Sequence, residues 1–208
     1  MPDSVTFQEG ALVEPLAVRL HAVKRAKITA GDNVVIVGGG PVGLSVAVWC
    51  KFFGARHIIV SDLIADRAEQ AGDFGATGFV DASVSNVSET YEKIVGSPPS
   101  IIFDAVGVAG SMQLSIDYIS NYGKVVAVGL CMVSDRFELA TAVVKEVEII
   151  FCFCYEHADF QMTLEMLAQE RIEVKGLVTE SVGFEQFPEA FERLKQPSNQ
   201  TEVMLKPH

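Results

Sequence analysis

Residues 34–43 read Val-Val-Ile-Val-Gly-Gly-Gly-Pro-Val-Gly, and a second apolar run ends at Asp62, nineteen residues beyond the last of these glycines. The β-branched run reads as a buried strand. The glycines behind it let the backbone turn sharply and come close to a pyrophosphate, and Pro41 with Val42 opens a helix whose first N–H groups lack intrahelical partners. Asp62 then falls where a carboxylate can accept hydrogen bonds from an adenosine ribose. A strand before, a helix after and an acid at this offset make the pattern far more specific than a lone GxGxxG. The other reading of Asp62 is a strand-end aspartate that caps the next turn. A carboxylate at the ribose also repels a 2′-phosphate, which favours NAD over NADP.

The stretch from Asn33 to Cys50 carries no charge and is long enough to be weighed as a membrane span. The triple glycine and Pro41 in its middle argue against one. Val34–Val37 is strand-like, whereas Leu44, Val48 and Phe52 recur at helical spacing, so strand, turn and helix fit better. No signal-peptide pattern opens the sequence, and the expectation is a soluble, cytoplasmic protein. An apolar content of 49% over 208 residues suffices for a core. The net charge of −11 argues against nucleic-acid and anionic-membrane partners, which need a basic surface to displace counterions.

Cys50, Cys131, Cys152 and Cys154 show no CxxC spacing, so no metal site is expected from them. Cys152 and Cys154 could face one side of a strand, but two thiols do not complete a tetrahedral site and apolar packing is the expected role. His21, His57, His157 and His208 show no ligand spacing either and read as packing or surface histidines.

Beyond the opening unit, short apolar strands alternate with amphipathic helices, as in a parallel sheet covered on both faces. The expected strands are His57–Ser61, Gly78–Val80, Ser100–Ala105, Lys124–Val128 and Val147–Phe153. The expected helices are Ala65–Phe74, Ser88–Val95 and Ala109–Ser120, with Gly75, Gly96 and the Pro98–Pro99 pair as stops. This makes six strands, a doubly wound α/β fold. Upstream, Glu14–Ile28 reads as a helix. Downstream come a helix at Phe160–Gln169, an extended segment at Leu177–Val182, a helix at Glu185–Leu194 and a strand at Glu202–Leu205. That tail is too small for a core of its own and must pack on the sheet or on another domain.

The residues then resemble the family of zinc-containing medium-chain alcohol and polyol dehydrogenases, its sorbitol dehydrogenase branch above all. The likeness is carried by Val5-Thr-Phe-Gln-Glu-Gly-Ala-Leu-Val-Glu14-Pro-Leu-Ala, the Gly38–Gly43 loop, Asp62 with Arg67, Phe74-Gly-Ala, Asp104-Ala-Val-Gly107, Gly123-Lys-Val-Val-Ala-Val-Gly129 and Phe153-Cys-Tyr155. It runs in one order over nearly the whole chain. The resemblance implies a Rossmann domain over 33–154, a linker and entry helix over 1–32, and a C-terminal segment over 155–208 that would pack on a catalytic domain. In this family that domain lies N-terminal and holds zinc through Cys, His and Glu ligands, so the chain is expected to be a truncated part of a longer enzyme or a naturally short protein.

Residue by residue, the resemblance assigns Gly38, Gly40, Val42 and Gly43 to the pyrophosphate turn, Asp62 to the ribose and Arg67 to the adenine end. Val106, Gly107, Val128, Gly129, Leu130, Cys152, Phe153 and Cys154 would border the rest of the NAD cofactor. Glu14 resembles a glutamate that approaches the zinc-bound water or substrate, and Tyr155 a tyrosine beside a polyol. Glu14 directly before Pro15 could equally be a helix-start residue favoured by the macrodipole. Cys154 stands where the sorbitol enzymes have a substrate-contacting arginine, and a thiol cannot supply the guanidinium's fork of donors. The expected activity is hydride transfer between NAD and a small secondary alcohol or polyol, with zinc bound only by the full-length enzyme and assembly as a homodimer or homotetramer. The rival expectations are a stand-alone NAD(H)-binding or oligomerisation module and part of a zinc-independent medium-chain reductase.

Overall fold

The alternation of side chains along each strand sorts the core into two layers. In the computed structural model, which describes residues 1–195 and 200–206, β1 (Asn33–Val37), β2 (His57–Asp62), β3 (Gly78–Asp81), β4 (Ile101–Asp104), β5 (Lys124–Ala127) and β6 (Glu148–Phe151) form one sheet. All its pairings are parallel and its order is β3-β2-β1-β4-β5-β6. Val34, Ile36, Ile58, Val60, Ile101, Phe103 and Val126 point to one face. Val35, Ile59, Ile102 and Val125 point to the other. A strand buried on both faces must be apolar at every position, which is why these runs lack the polar alternation of a half-exposed strand.

One face is covered by α1 (Phe7–Ala26), α2 (Pro41–Phe52) and α7 (His157–Ala168), whose Leu16, Leu20, Leu44, Trp49, Met166 and Leu167 share one cluster. Trp49 Nε1 donates to Leu16 O at 2.9 Å, so the largest buried side chain has its polar atom satisfied where α1 and α2 meet. The other face is covered by α4 (Val87–Val95), α5 (Ser111–Tyr118) and α6 (Leu139–Val144), through Tyr91, Met112, Ile116 and Ala142. The short α3 (Arg67–Asp73) links β2 to β3.

Several expected boundaries move. The first helix begins at Phe7 rather than Glu14, because Thr6 and Glu9 form a reciprocal capping box there: Glu9 N donates to Thr6 Oγ1 at 3.2 Å and Thr6 N to Glu9 Oε2 at 2.9 Å. Pro15 lies inside the helix, so the reading of Glu14 as a helix-start residue is overturned. The apolar stretch before the sixth strand contains a helix, α6, that periodicity over so few residues did not reveal. The sixth strand ends at Phe151. Cys152 and Cys154 therefore do not share a strand face, and Cys154 takes the left-handed conformation at φ 54°. His208 lies outside the described residues.

In the C-terminal segment, β7 (Val178–Val182) and β8 (Glu202–Leu205) pair in parallel as a separate two-stranded sheet. Ile172, Val174 and Leu177 join the main core. Phe184, Phe187 and Phe191, at and within α8 (Phe187–Arg193), stay exposed. No helix among the described residues is long and apolar enough to cross a membrane.

Candidate cofactor-binding site

Three connections leave the carboxyl ends of β1, β2 and β4, next to the point where the sheet reverses its direction of growth. The loop after β1 turns at Gly38, whose φ of +101° an L side chain rarely adopts. Gly38 N donates to Ser61 O at 2.8 Å, tying the turn to β2. Gly43 is required for a different reason: a Cβ there would lie 1.8 Å from Gly38 O, so the first turn of α2 can sit against the loop only without a side chain. Gly40 occupies the N-cap of α2 with no side-chain cap, followed by Pro41. A glycine cradle with the helix N-terminus left to a ligand suits a pyrophosphate. Val42 is half-buried within that first turn.

Asp62 closes β2 beside this loop. Its Oδ2 accepts from Gly39 N at 2.6 Å and lies 2.8 Å from Arg67 Nη1, while Oδ1 accepts from Ile64 N at 2.9 Å. The Ile64 contact caps the following turn, while the other oxygen faces the glycine loop. The carboxylate is 8% exposed and the guanidinium 15%. Arg67 also flanks the glycines, because a Cβ placed on Gly40 would stand 3.7 Å from its Nη1.

Asp104, at the end of β4, organises the other half of the cleft and was not singled out as a site residue from sequence. It is 3% exposed. Its Oδ1 accepts from Val106 N and Gly107 N, both at 3.2 Å, its Oδ2 accepts the Ser111 hydroxyl, and its carbonyl accepts Val128 N and Gly129 N. One buried carboxylate therefore shapes the loops after β4 and β5 together. The signal was an acid ending an otherwise apolar strand, which burial permits only when every acceptor is used. Gly107, at φ +63°, and Gly129 pass so closely that a Cβ on Gly129 would lie 2.3 Å from Gly107 N. Val106 reaches back toward Gly38, with its Cγ1 2.7 Å from where a Cβ of that glycine would stand.

Between these loops and the end of β6 lies a cavity of about 430 Å³, bordered by Gly107, Gly129, Leu130, Cys131, Cys152 and Phe153 among others. Leu130 and Phe153 are exposed at its rim, and Val128 packs on the core. Burial pushes the Cys152 thiol up, with Arg25 pulling it the other way. Cys152 is half-buried and Cys154 exposed.

Glu14 and Tyr155 belong to other surroundings, and neither borders this cavity. Glu14, exposed on α1, acts on Arg19 and Glu202: burial pushes Glu202 above the usual carboxylate range, Arg19 draws it down and Glu14 pushes it up. Tyr155 packs on Phe160 with ring centroids 5.9 Å apart. A cluster that sequence reading passed over pins α1 to α7. Asp159, fully buried, accepts Lys24 Nζ at 2.6 Å, pairs with His21 Nδ1 at 2.9 Å and accepts Glu156 N at 3.0 Å. His21 and Lys24 lie over a hundred positions from Asp159 in sequence, so spacing could not reveal the pairing. Among the described residues, no group of three or more His, Cys, Asp or Glu side chains is arranged to hold a metal ion.

Known proteins share both the sequence and the geometry. The family model described as zinc-binding dehydrogenase matches residues 41–169. Sorbitol dehydrogenase of Gallus gallus is 37% identical over 99% of this chain, which spans 58% of that relative's length. Two solved structures superpose closely. A zinc-binding dehydrogenase of Sinorhizobium meliloti 1021 bound to NADP has a TM-score of 0.91 at 25% identity, over 100% of this chain and 61% of that one. An alcohol dehydrogenase of E. coli CFT073 complexed with NADH has a TM-score of 0.93 at 22% identity, over 99% and 61%, a likeness of fold. The matched model runs from the start of α2 through Asp62 to the end of α7, more than half of the chain, and the chain belongs to the zinc-binding dehydrogenase family.

Proposed function

We propose that this chain is the NAD-binding part of a medium-chain dehydrogenase that moves hydride between NAD and a secondary alcohol or polyol, with zinc held by the rest of the full-length enzyme. The reading is carried by one observation: Asp62 Oδ2 meets Gly39 N at 2.6 Å, so the ribose carboxylate and the pyrophosphate turn are parts of one cleft. Bound NAD supplies the hydride acceptor. The chain's own residues do the positioning. The Gly38–Gly43 loop takes the pyrophosphate, Asp62 accepts from the ribose hydroxyls, and Asp104 holds the Gly107 and Gly129 loops that wall the nicotinamide end. Val106, Val128, Leu130, Cys152, Phe153 and Cys154 border that end, and an apolar rim there keeps water from the transferring carbon. Glu14 and Tyr155 are assigned to the substrate side.

The assembly is proposed to be a homodimer or homotetramer in the cytoplasm. What supports it is β6 at the open edge of the sheet, with Phe151 68%, Leu139 69% and Val144 81% exposed beside it. Four free cysteines suit a reducing compartment.

Calorimetric titration with NAD and a hydride-transfer assay with sorbitol test the reading. The expected result is binding without turnover by this chain alone. Failure to bind NAD or NADH overturns the cofactor assignment, and zinc-dependent turnover by this chain overturns the division of labour.

A further inference from the structure

Two thiols border the cavity at the ends of β5 and β6. Cys131 stands on the loop that leaves β5, Cys152 directly follows β6, and both are half-buried in the wall of the same space of about 430 Å³. We propose that Cys131 and Cys152 are a redox pair, which a hydroperoxide joins as a disulfide across this end of the cleft, closing it to the dinucleotide. The effect on binding rests on the cofactor reading above, whereas the bond itself does not.

The backbone sets the two thiols on neighbouring strand ends. β5 and β6 pair in parallel, and Cys152 N continues the ladder by donating to Ala127 O at 3.1 Å. Neighbouring strands lie about 4.8 Å apart, close to the Cα separation of about 5.5–6 Å that a disulfide favours. What has to move is the loop that carries Cys131, and it is lightly held. Among the described residues, 130–134 make no backbone–backbone hydrogen bond, and Leu130, Met132 and Val133 are 69%, 84% and 66% exposed. Segments with few main-chain bonds and little burial open at low cost. The Cys131 thiol donates to Val133 O at 3.4 Å, a weak bond inside the loop itself. The other two cysteines are worse placed, since Cys50 is buried in the core and Cys154 is exposed and does not line the cavity.

The chemistry balances with the hydroperoxide as oxidant. The Cys131 sulfur attacks the outer peroxide oxygen, the O–O bond breaks, and an alcohol or water leaves, giving a sulfenic acid. The Cys152 sulfur then attacks the sulfenic sulfur, the S–O bond breaks, and the hydroxyl departs as water with the thiol proton as the S–S bond forms. Burial pushes the Cys152 thiol up, away from the thiolate that a peroxide oxidises, which suits it to the second step. A dinucleotide in the cavity occupies the space the two sulfurs must cross, so cofactor and disulfide exclude each other.

The test treats the full reduced chain with hydrogen peroxide, with and without saturating NAD, and follows free thiols, intact mass, a peptide map and non-reducing electrophoresis. The expected result is a fall from four free thiols to two within one chain, a map joining Cys131 to Cys152, and reversal by dithiothreitol. NADH fluorescence titration of the oxidised form should show binding weakened by about tenfold or more, and NAD should protect the thiols. Cys131→Ser and Cys152→Ser are each expected to abolish the bond, and Cys154→Ser to keep it. A bond through Cys154, a cross-link between chains, oxidation that stops at a sulfinic acid, or a disulfide that leaves NADH binding as it was would overturn the proposal. Absence of NAD and NADH binding by the folded, reduced wild type would instead overturn the cofactor reading, and the peptide map then judges the bond alone. Thermal melts identify a serine variant that has lost its fold, in which case the map of the wild type decides.

Discussion

Gly107 and Gly129 cross backbone to backbone, with no room for a side chain on either: a Cβ on Gly107 would lie 2.5 Å from the carbonyl carbon of Gly129. The crossing brings the loops after β4 and β5 to one wall of the cavity, and Asp104 locks both by accepting Val106 N, Gly107 N and Gly129 N. A close approach of this kind converts two sequence-distant glycines into one structural element.

Gly107→Ala is therefore expected to be costly on two counts, a side chain at φ +63° and a backbone contact that must open. Together these should lower stability by roughly 2–4 kcal/mol, combining left-handed strain with overpacking. Denaturant unfolding checks this, and cofactor binding should fall with it because the cavity wall moves. A change within experimental error would show that the two loops can part freely.

On the proposed reading, Asp62→Ala removes a ribose acceptor and a repulsive charge at once. The expected loss for NAD is about 1.5–3 kcal/mol, the worth of hydrogen bonds to a charged group, with a smaller loss for NADP. Calorimetry with both cofactors decides it. Equal losses would show that Asp62 does not read the ribose.

The carboxyl of Asp159 titrates below the usual range: burial pushes it up, but Lys24, the Glu156 amide and His21 together outweigh that effect. A carboxylate whose pKa is lower folded than unfolded binds protons more readily in the unfolded chain, so its contribution is full above the unfolded value and is lost as pH falls through the folded one. Stability is thus expected to drop on acidification through the ordinary carboxylate range and below it. Asp159→Asn should flatten that part of the profile and cost about 3 kcal/mol, the low end for breaking a buried pair, since Lys24 can still reach water. Melts between neutral and acidic pH would show an unchanged slope if the clasp contributes nothing.

The edge beside β6 should hold a second copy of the chain. Light scattering at micromolar concentration is expected to give at least twice the 22.5 kDa of one chain. Val143→Glu, which places a charge on a side chain 71% exposed beside that edge, should shift the population toward monomer. A stable monomer in the unaltered protein would mean that this edge is not an interface.

How much of this was legible in the sequence depended on how far apart the partners lay. The β-branched run at Val34, the glycines behind it and Asp62 at its offset are local patterns, and they announced the fold, the turn and the acid beside it. The helical spacing from Leu44 to Phe52 did the same for α2. Boundaries were less visible where a cap outweighed the apolar pattern, as at Thr6 and Glu9, or where an element was too short for its period to show, as in α6. What only the tertiary structure decided were the long-range pairings: Arg67 seated on Asp62 against the glycine loop, Asp104 binding two loops at once, Gly107 set against Gly129, and Asp159 clasped by His21 and Lys24. Residue type and spacing encode what a chain does over one turn or one strand. Which buried charge finds which partner follows from where packing places distant elements, since a desolvated carboxylate must take whatever donors the assembled core brings within reach.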